Sequence, residues 1–318
     1  MKKQHRTSAG RIARLGIFFL LAATLFIGTT FLSSTKVEAN HPVFVEGNCD
    51  SPVPGTTIVT AGTCGDFDGD GRIGTAEDTD GADRIFGTLN AALGPGTGAA
   101  AGTGANFNGS ILIVKSGRYA ETLFIGNAGF IPGLGTANPG NVTIEAAPGV
   151  EADLDAVLQG DPAGGNTARQ GSNGIAIVYS ANTSVVTLRN LTIRNFAEGV
   201  GAALNSRVVI DNCRFENNQN FAVRAQDSVL LTICNSQIAV TGRRIPVTGP
   251  PAPGNGVTIQ NAAQARIYNT VITNNVAAGI SNATGIAGNV VLFKVGTFFN
   301  GTDVSGPVTI APNPNHSN

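Results

Sequence analysis

Residues 66–78 read DFDGDGRIGTAED, and five carboxylates fall within these thirteen positions. Only 13% of the chain is charged, so the cluster stands apart from its surroundings. Counted as a twelve-position loop, the stretch places Asp66, Asp68 and Asp70 at the first, third and fifth positions. Gly71 takes the sharp turn, the backbone carbonyl of Arg72 is the next donor, and apolar Ile73 follows. Gly74 leaves room for water, and Glu77 closes the set with two carboxylate oxygens. Hard oxygen donors at this spacing suit Ca2+. A solvated acidic turn is the competing reading.

A second group is basic. Arg243 and Arg244 lie in TGRRIPVTGPPAPG (241–254), and Arg169 lies in VLQGDPAGGNTARQGS (157–172). Arg224 projects from a short apolar stretch between these segments, with Gln226 on the same face. Guanidinium groups bind carboxylates bidentately, so an acidic polysaccharide is a natural ligand for such a patch. Histidine offers little: His5, His41 and His316 all lie towards the two ends of the sequence. That argues against Ser-His-Asp or Cys-His catalysis and against a His-ligated zinc.

The elements that would position these groups are visible as a repeat. VTLRNLTIRN (186–195), VVIDNCRFEN (208–217), LTICNSQIAV (231–240) and ARIYNTVITN (265–274) align column by column. One apolar column is Leu188, Ile210, Ile233, Ile267, and a second is Ile193, Phe215, Ile238, Ile272. Between them runs Asn190, Asn212, Asn235, Asn269. A further column holds Asn195, Asn217 and Asn274, with Val240 in the gap. Successive units lie 22, 23 and 34 residues apart, the last interval containing the Pro- and Gly-rich insertion at 241–254. Each unit is followed by another short strand-like segment, such as GIAIVYS (174–180) or FAVRAQ (221–226).

Three short strands per 22 residues describe a chain wound into a coil, with parallel pairing between turns and apolar columns inside. Asparagine suits the tight turns because it tolerates left-handed backbone. The composition agrees, with 42 Gly, no Trp and few charges.

The repeat resembles that of right-handed parallel β-helix proteins, the pectin-lyase-like fold, over about residues 56–310. ADRIFGTLNAAL (82–93) is expected to form an amphipathic helix with Ile85, Phe86, Leu89 and Leu93 on one face. The turn carrying Gly117, Tyr119 and Glu121 follows, in the order in which such proteins begin their coils. An open solenoid end needs such a cap. The fold class expected is therefore all-β, a single-stranded right-handed parallel β-helix with an N-terminal capping helix. The acidic stretch resembles an isolated EF-hand-type calcium loop, because no helix leads into it. Its calcium would serve the fold.

The resemblance also implies a possible lyase or hydrolase. RIPVTG (244–249) is similar to an Arg-x-Pro-x-x-Arg signature, but Gly249 stands where the second Arg should be. The acidic and paired-aspartate sets of the family's enzymes are missing from the repeats. Arg244, Arg243 and Arg224 are the candidate catalytic residues on this reading. The preferred reading is a non-catalytic protein that binds a polysaccharide or surface glycan.

Lys2, Lys3, Arg6, Arg11 and Arg14 precede an uncharged apolar run, Leu15 to Leu32, and a small-residue site at Val37-x-Ala39. This is the order of a secretory signal peptide, 1–39, with an uncleaved anchor as the alternative. Cleavage takes six of 20 basic residues and one of 21 acidic ones, leaving 279 residues and a net charge of −6. Nucleic acid is not the partner of such a chain. We expect a secreted, cell-surface or periplasmic monomer with no membrane contact after cleavage. Its segments would be a lead-in at 40–81 with the calcium loop at 66–77, the cap and coils at 82–310, and a disordered tail at 311–318. In an oxidising compartment Cys49 and Cys64 could form a disulfide worth about 3 kcal/mol. Cys213 and Cys234 are offset by two residues and one coil, about 8 Å, which is too far to bridge.

Overall fold

The computed structural model describes residues 43–46, 57–58, 72–73, 84–86, 88–93, 109–126, 140–156, 173–179, 184–242 and 254–312. Nearly all of the regular structure in these segments is strand, gathered into three parallel sheets. One coil shows the pattern. Val185–Arg189 belongs to the first sheet, Leu191–Arg194 to the second and Glu198–Leu204 to the third. Arg207–Asp211 then returns to the first sheet and pairs in parallel with Val185–Arg189, Leu188 opposite Ile210. Among the described residues the first sheet has ten strands and the other two have seven each.

The two apolar columns of the repeat become two inner walls. Leu188, Ile210, Ile233 and Ile267 are fully buried in the first sheet, and Ile193, Phe215, Ile238 and Ile272 in the second. Ile175, Val200, Val223, Val257 and Ile280 line the third. Each such side chain contributes about 1.5–3 kcal/mol by leaving water. Stacking, rather than any one coil, creates this core.

Asparagine makes the corners. Asn190, Asn212, Asn235 and Asn269 all have φ between 45° and 58°. Their amides also bond along the axis: Asn212 Nδ2 donates to Asn190 Oδ1 at 2.8 Å, and Asn269 Nδ2 to Asn235 Oδ1 at 2.9 Å. The step between breaks this pattern, since Asn235 Nδ2 donates to Asp211 Oδ1 instead. At the next corner Asn217 Nδ2 donates to Asn195 Oδ1 at 2.7 Å, while Val240 holds the same left-handed backbone at φ 60°.

The N-terminal end departs from expectation. Residues 82–93 do not form one amphipathic helix. Arg84–Phe86 is a strand, and the helix is a single turn, Leu89–Ala92. The reason is pairing. Arg84–Phe86 lies in parallel against Val43–Val45, which in turn pairs with Gly109–Ile113, so the first sheet recruits both segments. A backbone ladder outweighs the weak helical preference of three residues followed by Gly87. Leu89 and Leu93 are still buried against the coils.

Glu121 explains the short helix and the turn that carries it. Its Oε1 accepts from the Leu89 amide at 2.9 Å, and its Oε2 accepts from the Asn90 amide and side chain, both at 2.8 Å. The carboxylate thus satisfies N-terminal amides that a one-turn helix would leave bare. Tyr119, on the same turn, donates its hydroxyl to the Lys115 carbonyl at 2.7 Å.

Candidate functional site

Both long segments singled out in the sequence leave the coil at the same corner. Residues 157–172 fall between Ala152–Asp155 of the second sheet and Asn173–Tyr179 of the third. Residues 243–253 fall between Gln237–Ala239 and Asn255–Ile259, again second sheet to third. Their interiors lie outside the described residues, as do Arg169, Arg243 and Arg244. The base of the second is tight. A Cβ on Gly242 would stand 2.6 Å from the Gly254 Cα, and both glycines have left-handed backbone, φ +89° and +65°. The insertion therefore leaves and returns at one point, and a 34-residue interval costs the stack no register.

Between the two corners lie Glu198–Leu204 and Phe221–Ala225, adjacent strands of the third sheet. Their outer face carries the candidate site. Arg224 donates to Glu198 Oε2 from Nε at 3.0 Å and from Nη2 at 2.8 Å. Its Nη1 reaches Gln226 Oε1 at 3.1 Å, and its guanidinium lies 5.6 Å from the Phe221 ring centre. Gly201 makes the room, since a Cβ there would stand 2.9 Å from Glu198 Oε2 and 2.5 Å from Asn173 Nδ2. Further along the axis Asn255 Nδ2 donates to Thr258 Oγ1 at 3.1 Å. In register across this sheet, about 4.8 Å apart, stand Ala176, Gly201, Arg224 and Thr258, so the charged and aromatic groups gather on the two strands that carry Glu198 and Phe221.

Glu198 is only 8% exposed. Burial pushes its carboxyl above the ordinary carboxylate range, and the Arg224 charge and hydrogen bonds pull it back only in part. The sequence reading put Arg224 in a free basic patch beside Gln226. The proximity to Gln226 holds, but the charge of Arg224 is already matched by Glu198. Glu198 opens the strand Glu198–Leu204, ahead of the apolar GVGAAL run at 199–204, and lies outside the aligned apolar and asparagine columns.

The second sheet holds a different cluster. Arg194 pairs with Asp153 and, at 3.0 Å, with Asp155, which Arg118 also approaches at 3.5 Å. Asn195 Nδ2 donates to the other oxygen of Asp155 at 2.6 Å. Arg194 and Glu216 stand opposite each other on adjacent strands, a position in which they could pair. Instead Glu216 pairs with Arg214, and the two aspartates of the preceding coil take Arg194. In the first sheet Arg189 does pair with Asp211, at 3.2 Å, and also with Glu145. These charges are mutually satisfied and, apart from the buried Asp155, stand on a solvated wall. A cavity of about 340 Å³ opens at the corner of the first two sheets, beside the Pro148–Val150 turn, Asn190 and Arg214.

Of the remaining sequence candidates, Arg72 is described in Arg72–Ile73, a two-residue strand antiparallel to Thr57–Ile58. Asp66, Asp68, Asp70, Glu77, Cys49, Cys64 and the 1–39 segment lie outside the described residues. Cys213 and Cys234 are both free thiols, Cys213 buried in the core. Burial pushes both up, Cys213 to about 12 and Cys234 to about 11. Asn282, in the Asn-Ala-Thr sequence at 282–284, is buried and donates to the Ile286 and Pro307 carbonyls. Among the described residues no helix is long and apolar enough to cross a membrane.

A solved structure of the pectate lyase Pel9A is similar at 15% identity and a TM-score of 0.33, covering 65% of this chain and 69% of that one. No curated protein sequence matches. Residues 141–292 match the family described as "right handed beta helix region", and they span the stacked coils whose registers are given above. In fold, the chain is a right-handed parallel β-helix.

Proposed function

We propose that the protein is exported, is stiffened by Ca2+, and binds a polysaccharide or cell-surface glycan along the outer face of the third sheet without catalysis. The observation that carries this reading is the fixed Arg224 side chain, held by Glu198 and Gln226 beside the Phe221 ring. A planar donor group, an aromatic face and side-chain amides are the partners that a sugar's hydroxyls and ring faces need. Because they are held in place before binding, less ordering entropy is lost. A guanidinium with three of its donors engaged is arranged to hold a ligand and not to withdraw a proton from one.

The calcium ion would be held by Asp66, Asp68, Asp70, the Arg72 carbonyl and Glu77. The pairing of Arg72–Ile73 with Thr57–Ile58 supports a structural role, since it ties this stretch to the segment between Cys49 and Cys64. The ion would neutralise the carboxylates and fasten the lead-in to the coils.

Affinity electrophoresis of the mature protein against a panel of acidic and neutral polysaccharides tests the binding face. Replacing Arg224 and Glu198 together with Ala removes both charges at once and avoids stranding either. We expect at least one glycan to retard the wild type, and the double variant to lose that retardation while its thermal transition persists. Unchanged retardation would move the site elsewhere. Ultraviolet absorbance from unsaturated uronide products, recorded on the same mixtures, checks elimination. A signal lost in Arg244→Ala would replace the binding reading with that of a lyase.

A further inference from the structure

The Glu198–Arg224 pair is built differently from the Asp155 cluster of the second sheet. Asp155 uses both oxygens, one for Arg194 and Arg118 and the other for Asn195. Glu198 receives both Arg224 bonds on Oε2 alone, and among the described residues its Oε1 accepts no hydrogen bond. Arg224, at 27% side-chain exposure, is reachable from solvent, whereas Glu198 is largely covered. The cation is thus presented and the carboxylate is set behind it.

We propose that Glu198 is a competing carboxylate for Arg224: an acidic sugar's carboxylate displaces it, Glu198 takes up one proton from solvent as it lets go, and the site prefers acidic over neutral ligands increasingly as the pH falls. This inference rests on the third-sheet face being the ligand site. No covalent bond is made or broken apart from the O–H formed on Glu198.

The surroundings of Glu198 favour the exchange. From the preceding strand the Asn173 amide faces it, from its own strand Gly201, and from the following strand Arg224. Among the described residues Arg224 is the charged group beside it, and burial already works against the ionised form. Once a ligand anion takes Arg224, Glu198 faces a like charge in a covered position, and both effects favour the protonated acid. Protonated, it can donate a hydrogen bond to the ligand carboxylate that replaced it. By linkage, affinity for the anion then rises by up to about tenfold per unit fall in pH, between the values at which Glu198 titrates in the bound and free states, and levels off below. A neutral sugar can bond Oε1 or Gln226 without disturbing the pair, and takes up no proton.

Isothermal titration calorimetry on the full mature protein tests this with an oligomer of galacturonic acid and its fully methyl-esterified form. Each is titrated between about pH 5 and about pH 8, where the sugar acid stays ionised, in two buffers of different ionisation enthalpy. The expected result is uptake approaching one proton per site for the acid and none for the ester. Glu198→Gln should bind the acid about tenfold more tightly at neutral pH, with a flat pH profile. Binding of the acid without proton uptake would overturn the proposal, and the wild type alone decides that point. Retention of the wild-type pH slope in Glu198→Gln would also overturn it. If acid and ester bind equally at every pH, the face is the ligand site and the role of Glu198 is wrong. If neither binds, the site reading fails and this inference fails with it.

Discussion

Left-handed backbone is cheap for asparagine and expensive for a β-branched residue, and Val240 shows the difference within a single column. It holds φ 60° where Asn195, Asn217 and Asn274 stand in other coils. It also interrupts the ladder, which otherwise runs from Asp155 through Asn195 to Asn217. Val240→Asn should therefore raise the unfolding free energy by about 1 kcal/mol, the strain a left-handed L-residue stores. Denaturant unfolding monitored by circular dichroism measures it, and a loss of stability would mean that Val240 packs better than its backbone suggests.

At the scale of elements, the N-terminal turn depends on one side chain supplied from 32 residues away. Glu121→Ala should cost about 2 kcal/mol by baring the Leu89 and Asn90 amides, while Glu121→Gln, which keeps one acceptor, should cost less. The comparison with Gln also has a pH signature. Burial, the largest influence, lifts the Glu121 carboxyl above its ordinary 4.5, against the opposing amide hydrogen bonds. A raised acid contributes fully below its unfolded value, and the contribution is lost as pH rises through the folded one. Unfolding curves should therefore show the wild type losing ground to Glu121→Gln as the pH climbs from about 4.5, and a constant difference would count against the carboxyl titrating there. The calcium loop is tested at the same scale. With calcium at a hundred times its dissociation constant, chelation should lower the melting temperature by about 5 °C, and an unchanged transition would remove calcium from the account of the fold.

On the scale of the whole molecule, the core is continuous from coil to coil and no coil owns it. The wall of Ile111, Ile144, Leu188, Ile210, Ile233, Ile267 and Leu292 crosses seven strands of one sheet. Such a stack tolerates an insertion that returns to its own origin, as Gly242 and Gly254 show, and so can carry recognition segments at one corner without losing register. Export is the other prediction at this scale. Expressed with its first 39 residues in a secreting bacterium, the protein should appear outside the cytoplasm with Asn40 at its N-terminus. Edman sequencing reads that directly, and an intact Met1 on membrane-bound material would favour an anchor.

The apolar columns, the asparagine corners and the parallel winding were legible in the sequence because each coil repeats one local problem. Alternation buries every second side chain, and a tight turn admits few residues, so aligned units expose the rule. The proximity of Arg224 to Gln226 was legible for the same reason. What the sequence alone left undetermined lies in contacts between residues far apart in the chain. Arg84–Phe86 becomes a strand only because Val43–Val45 offers it a ladder. Arg194 takes both aspartates of the preceding coil and leaves Glu216 to Arg214, and Arg224 is matched by a glutamate 26 residues earlier that lies outside the columns visible in the sequence. Periodicity specifies where backbone goes, since every coil must fit the next. The state of a charge is decided by whichever partner the finished stack brings within 3 Å, and that is a property of tertiary structure.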